Sequence, residues 1–202
     1  EDEMTYGLKD SAPKVLFCDQ ERLARYINIR DEFSDITTVG VRLPNVTRNV
    51  INYAKVIATG GDLPEVNVDP DTDACIFYTS GTTGYPKGAQ LTHRGCVHNI
   101  MNLGFAAQVT GLSTARINNV EPPNPEDAEP PSALVTTPMF HVTANNCLAQ
   151  GTTVAGGKLI HMYRWDAGEA LKIIEAEKIT NLTGVPVMSR ELISHPDFNN
   201  YD

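Results

Sequence analysis

The sequence has few cysteines, a single tryptophan and no apolar run approaching the length of a membrane span. Its four cysteines, Cys18, Cys75, Cys96 and Cys147, stand far apart, and none belongs to a C-x-x-C pair. That spacing argues against a zinc ribbon and against a thioredoxin-like site. Scattered thiols in apolar runs point instead to reduced, buried side chains in a reducing compartment. Positive charge is scarce as well: 16 Lys and Arg face 25 Asp and Glu, for a net charge of −9. Nucleic acid and anionic membranes need a basic surface, so neither is expected as a partner. The first residues, Glu1-Asp2-Glu3-Met4, are acidic and lack the order of a secretory signal. A cytoplasmic location is therefore the default expectation, and the sequence contains no internal repeat.

What is present reads as α/β, a layering of sheet and helices, because short apolar runs alternate with stretches of helical period. Strands are expected at Val15-Leu16-Phe17-Cys18, Thr37 to Arg42, Ala74-Cys75-Ile76-Phe77-Tyr78, Ala133-Leu134-Val135-Thr136-Thr137, Lys158 to Met162 and Ile179 to Thr183. Helices are expected over Gln20–Tyr26, after a Thr92 cap, after Asp166, whose partner Glu169 completes a capping box, and from Pro186 through Leu192. In the helix after Asp166, the spacing of Ala167, Ala170, Leu171 and Ile174 predicts a buried face. Asn49 to Ala58 fits either helix or strand. Gly60-Gly61 breaks the chain, and residues 63–73 read as an acidic connector. Residues 118–131 are acidic and rich in proline, which removes donors and fixes φ, so an exposed loop is expected there. The runs on its two sides are expected to belong to one sheet.

The strand at Ala74–Tyr78 leads directly into Thr79-Ser80-Gly81-Thr82-Thr83-Gly84-Tyr85-Pro86-Lys87-Gly88. Glycines let backbone N–H groups close on a densely charged polyphosphate, hydroxyls add donors, and a lysine supplies a mobile cation. With the helix capped by Thr92 beyond it, the segment reads as strand–loop–helix. It is not the Walker loop: aligning that template at Gly81 puts Pro86 at its second glycine and Gly88 at its Ser/Thr. It does not fit G-x-G-x-x-G either. Tyr85 stands at the loop's variable position and is expected to be exposed and mobile. His93, Cys96 and His98 raise a metal site, but at offsets of three and five the three do not all lie on one helix face, as i and i+4 residues do.

Tyr78 through Gly88, continuing into Ala89-Gln90-Leu91-Thr92-His93, resembles the signature loop of the AMP-forming acyl-CoA synthetase, luciferase and adenylation-domain superfamily. Thr137-Pro138-Met139-Phe140-His141-Val142-Thr143 resembles that family's next motif, and Thr183-Gly184-Val185-Pro186-Val187-Met188 its pocket-lining strand-to-helix segment. The likeness is weak over residues 1–62 and strong over 63–202. It implies that the chain is an internal part of the large AMP-binding domain. The reaction it implies has two steps. A carboxylate attacks the α-phosphate of Mg-ATP, giving an acyl-adenylate and pyrophosphate, and coenzyme A then takes the acyl group.

By the same likeness Thr79, Ser80, Gly81, Thr82, Thr83, Gly84, Lys87 and Gly88 hold ATP, and Thr79 touches Mg2+. Lys87 and His141 serve the chemistry, and His141, Val142, Thr183, Gly184, Val185 and Pro186 line the acyl pocket. His141 also fits a merely packed or strand-end histidine. Amino-acid-activating relatives carry an Asp after the aromatic residue of the second motif, so His141 points to a simple carboxylic acid. The Pro-rich insertion and the Pro138–Val142 block resemble bacterial fatty-acyl-CoA synthetases, which implies a fatty acid. An acidic Tyr-Gly-x-Thr-Glu block, a ribose-binding Asp, a hinge and a small C-terminal domain bearing the adenylation lysine are not among these 202 residues. Residues 1–202 alone are therefore expected to be inactive. A non-catalytic nucleotide-binding or interaction module, and an aryl-CoA ligase or carrier-loading adenylation domain, remain as alternatives.

Overall fold

The computed structural model describes residues 2–45, 47–80, 84–122, 124 and 128–201. The chain divides into two compact units, Glu1–Val68 with Tyr78–Ala89, and Asp69–Phe77 with Gln90–Asp202.

The first unit opens with helix α1 (Asp2–Ser11), strand β1 (Val15–Cys18) and helix α2 (Gln20–Ile27), and continues through β2 (Thr37–Gly40), β3 (Ile51–Asn52) and α3 (Tyr53–Ala58). The strands form a parallel sheet in the order β1-β2-β3, with Val15 opposite Thr37 and Val39 opposite Ile51. Asp19 caps α2 by accepting from the Arg22 N–H at 2.9 Å, and Asn52 caps α3 by accepting from Ala54 N at 2.8 Å. The ambiguous stretch 49–58 thus splits between a two-residue strand and a short helix. Leu8, Cys18, Leu23, Tyr26 and Ile29 make the core, with Met4, Leu16 and Phe33 packed around it. Fully enclosed, Tyr26 still places its hydroxyl on the Phe33 carbonyl at 3.4 Å.

Strand β4 (Asp73–Thr79) is followed by β5 (Lys87–Thr92) and by the 26-residue helix α4 (His93–Asn118). β4 and β5 pair as a two-stranded sheet. The connecting residues 80–86 are too few for a parallel crossover, so the pair is a hairpin. Its base is tied within the second unit, where Arg94 grips Asp71 with two nitrogens at 2.7 and 3.0 Å and Gln90 donates to Asp73 at 2.9 Å. Thr92 caps α4 through Gly95 N at 3.1 Å, and Asn119 ends it in the left-handed region. The helical face that the spacing of Val97, Ile100, Met101 and Gly104 predicts is exposed except at half-buried Ile100, and only Cys96 and Ala115 of this helix are buried.

The second unit is centred on a parallel sheet in the order β7-β6-β8, built from β6 (Ser132–Val135), β7 (Lys158–His161) and β8 (Asn181–Thr183). Every residue of β6 is buried, as a central strand covered on both faces requires. The two-residue period sorts its side chains: Ala133 and Val135 meet Ala144 and Leu148, while Leu134 meets Ala170, Leu171 and Leu192. The first face is covered by a π-helical stretch, Thr143–Ala149, running into α5 (Gln150–Val154). The second is covered by α6 (Ala167–Glu177) and α7 (Pro186–Ile193). Asp166 caps α6 through Glu169 N at 2.8 Å. Of the face expected there, Ala170 and Leu171 are buried and Ala167 and Ile174 partly so. Pro186 stands in the first turn of α7, where its missing N–H costs nothing.

Two expectations are corrected. The strands on either side of the Pro-rich segment do not share a sheet: β4 pairs with β5 and β6 with β7 and β8. The cause is β5 itself, a polar run, Lys-Gly-Ala-Gln-Leu-Thr, whose backbone occupies an edge of β4 although its side chains carry no apolar pattern. For the same reason the signature loop is set in strand–loop–strand–helix rather than strand–loop–helix.

Candidate functional site

The candidate residues fall into two groups, one in each unit. In the first unit the loop leaves β4 at Thr79 and returns at Lys87, the first residue of β5. Thr79 Oγ1 donates to the Lys87 carbonyl at 3.4 Å, which joins the two ends of the loop. Thr79, Ser80, Lys87 and Gly88 are all exposed. Lys87 makes no ion pair among the described residues, so its ammonium is available to an incoming anion. Gly84 has φ +108, a conformation that L side chains rarely adopt, and open space where a Cβ would stand. Gly81, Thr82 and Thr83 lie outside the described residues. The donors in view are hydroxyls, a backbone that turns through positive φ and a free ammonium. They suit a polyphosphate, and Thr79 could offer one hydroxyl to its magnesium.

Tyr85 is exposed as expected, with 63% of its surface open, but it is not without a partner. Its ring stacks on Tyr6 of α1 with centroids 5.0 Å apart and planes at 29°. Tyr78, just before the loop, donates its hydroxyl to Asp10 of α1 at 2.6 Å. That hydrogen bond, with burial and the Asp10 charge after it, raises the Tyr78 phenol above its ordinary range.

The second group gathers at the carboxyl edge of the β7-β6-β8 sheet, where open α/β sheets bind ligands. Val135 stands opposite Thr183, and one residue on, Thr136 Oγ1 donates to the Thr183 carbonyl at 2.7 Å. Gly184 is crowded: a Cβ there would lie 2.8 Å from Met188 Sδ and 3.2 Å from Thr136 Oγ1, so a neighbouring side chain would have to shift. Val185 caps α7 and Pro186 begins it. The hydroxyls of Thr137 and Thr183 are enclosed, and neither has a hydrogen-bond partner among the described residues. Of the neighbours Thr136 and Thr137, Thr137 opens the second motif in the sequence, whereas Thr136 is not marked there. The signal for Thr136 is a buried run ending in two threonines before Pro138, at the edge where strands give way to loops.

His141 is exposed, which speaks against a packed side chain and leaves the strand-end alternative standing. Its Nδ1 accepts from Thr143 N at 3.1 Å, so in the neutral ring Nε2 carries the proton and is left as a donor. Val142 is 43% exposed beside it. His93, Cys96 and His98 do not form a metal centre, and no group of three or more potential ligands does so among the described residues. Trp165, to which the sequence assigns no role, packs against the Leu134 core and donates to Glu191 at 2.5 Å. No described helix is long and apolar enough to cross a membrane.

The fold is shared with solved enzymes. A luciferase-like enzyme from the nonluminescent mealworm Zophobas morio superposes with a TM-score of 0.76 at 20% identity, over 100% of this chain and 43% of that one. The AMP-binding enzyme family matches residues 1–202, and the chain belongs to it. Among curated relatives, 4-coumarate-CoA ligase 1 of Narcissus pseudonarcissus is 29% identical over 163 residues, covering 80% of this chain and 27% of the relative. Indoleacetate--CoA ligase of Aromatoleum aromaticum is 30% identical over 197 residues, covering 96% and 35%. The chain thus spans roughly a quarter to a third of the length of these relatives.

Proposed function

We propose that the whole protein is an AMP-forming acid–CoA ligase. In this reading residues 1–202 form part of its large domain, supplying the ATP-phosphate loop and one wall of the acyl pocket. The observation that carries the reading is the loop itself: exposed Thr79 and Ser80, a positive-φ Gly84 and a Lys87 without an ion pair among the described residues, at the ends of a paired hairpin. Lys87 would neutralise the β- and γ-phosphates, and Thr79 would hold the magnesium ion through its hydroxyl oxygen. When bound, that ion would neutralise charge on the phosphates. In this kind of chemistry positioning and electrostatics do most of the work. The Nε2 proton of His141 is suited to orient the substrate carboxylate, and Val142, Thr183, Gly184, Val185 and Pro186 bound the acyl group.

The substrate is a simple carboxylic acid, since His141 stands where an amino-acid-activating enzyme would have a carboxylate. An aromatic acid is favoured over a fatty one by the relatives named for coumarate and indoleacetate. A fatty acid is the second reading, favoured by the Pro138–Val142 block. Coenzyme A is the acceptor and the cytoplasm the site of action. Residues 1–202 by themselves do not catalyse, because they amount to about a third of a relative's length or less. The test is acid-dependent exchange of pyrophosphate into ATP, measured with the full-length protein against aromatic and fatty acids. Exchange strongest with aromatic acids supports the reading, fatty-acid preference reverses the substrate assignment, and no exchange with any acid overturns the function. Robust exchange by residues 1–202 alone would overturn their assigned inactivity.

A further inference from the structure

Helix α1 has two working faces. Met4 and Leu8, one turn apart, pack into the core of the first unit. Tyr6 and Asp10 are also one turn apart and lie about 200° round the helix from them. These two side chains touch the two arms of the signature loop. Asp10 Oδ2 accepts from the Tyr78 hydroxyl at 2.6 Å, and Tyr6 stacks on Tyr85 at 5.0 Å. Tyr78 is the residue before Thr79, and Tyr85 stands two before Lys87. The contacts therefore fall immediately beside the two residues whose side chains would meet phosphate and metal. No contact of this kind is legible in the sequence, where α1 and the loop are some seventy residues apart.

We propose that Tyr6 and Asp10 are positioning residues for the triphosphate loop, bracing Tyr78 and Tyr85 so that Thr79 and Lys87 are set before ATP arrives. The proposal rests on the phosphate-binding reading of the loop. Its physical basis is preorganisation: a loop held at both ends loses less freedom on binding than one that must be ordered by its ligand. The Asp10 bond is charge-assisted, the stronger kind of hydrogen bond. The Tyr78 phenol, raised by that same bond, keeps its donor proton throughout the neutral range.

The test is calorimetric titration of the full-length protein with Mg-ATP, together with amide exchange of the ligand-free protein. Tyr6→Ala and Asp10→Ala are each expected to weaken Mg-ATP binding by roughly three- to tenfold. Tyr6→Phe keeps the ring and is expected to restore wild-type affinity. Tyr78→Phe should match Asp10→Ala, and Asp10→Ala with Tyr78→Phe should weaken binding no further, because the two side chains share one bond. In the ligand-free chain Tyr6→Ala and Tyr78→Phe should speed exchange at Thr79, Lys87 and Gly88 while leaving Leu23 and Tyr26 slow. Lys87→Ala separates the failures. If Lys87→Ala weakens binding and the α1 variants do not, the brace is overturned and the phosphate reading stands. If Lys87→Ala binds as wild type does, the phosphate reading falls and the brace with it. Unchanged loop exchange in Tyr6→Ala and Tyr78→Phe also overturns the brace, whatever the affinity.

Discussion

Replacing Gly184 by alanine should destabilise the second unit, and part of that cost should vanish when Thr136 is alanine too. The added Cβ meets two groups, Met188 Sδ at 2.8 Å and Thr136 Oγ1 at 3.2 Å. The thioether end is flexible and can leave its rotamer for about 0.5–1.5 kcal/mol. The Thr136 hydroxyl is less free, because it is committed to the Thr183 carbonyl at 2.7 Å. Moving it strains a bond whose net worth is about 1 kcal/mol. Gly184→Ala is therefore expected to cost about 2 kcal/mol in total. Thr136→Ala loses the bond and a methyl, again about 2 kcal/mol. In the double variant the hydroxyl bond is lost only once and the methyl added at position 184 has space, so the cost should fall short of the sum by about 0.5–1 kcal/mol. Thr136→Ser keeps the oxygen and should leave the Gly184→Ala cost intact. Urea unfolding followed by fluorescence of Trp165 reads this directly, since it is the chain's only tryptophan and packs on the same core as Leu182. Additivity within about 0.3 kcal/mol would refute the reasoning.

Gly84→Ala forces an L side chain to φ +108. A strain of about 1 kcal/mol that the loop must bear to bind corresponds to roughly a fivefold loss of Mg-ATP affinity with unchanged circular dichroism; wild-type affinity would contradict the geometry. Asp19→Ala should cost the first unit about 1 kcal/mol through loss of the α2 cap. The Asp19 carboxyl is held below its ordinary range, first by the Arg22 N–H. Its contribution is therefore present above the unfolded pKa and lost as pH falls through the lower folded one. Acid unfolding curves of wild type and Asp19→Ala should converge at low pH, and a constant offset would be the wrong result. Alkylation of the native protein at neutral pH, mapped by mass spectrometry, should modify exposed Cys147 first. Cys75 should follow more slowly, since burial, then the neighbouring Cys96, pushes its thiol up; equal rates would contradict that environment.

Elements with a strong local signal are legible in the sequence. The Thr92 and Asp166 caps sit where their oxygens meet free N–H groups at 3.1 and 2.8 Å, and Ala133 to Val135 form the buried central strand. The loop's glycine at 84 is legible too, because a turn through positive φ selects that residue. Elements defined by pairing rather than by pattern are not. β5 is a strand because β4 stands beside it, and its polar side chains carry no period. α1 leaves its mark only in Met4 and Leu8, and its contacts with Tyr78 and Tyr85 depend on tertiary packing. Thr136 becomes a candidate only once the sheet register brings the end of β6 beside Thr183. His141 can be read either way from sequence, and its exposure and its bond from Thr143 N speak only against a packed side chain.

In the proposed reading the hairpin loop holds the phosphates of ATP through Lys87. Calorimetric titration of the full-length protein with Mg-ATP, wild type against Lys87→Ala, tests it most directly. A charge-assisted contact is worth about 1.5–3 kcal/mol, so the variant should bind at least about tenfold more weakly. Equal affinity in the two proteins would contradict the account.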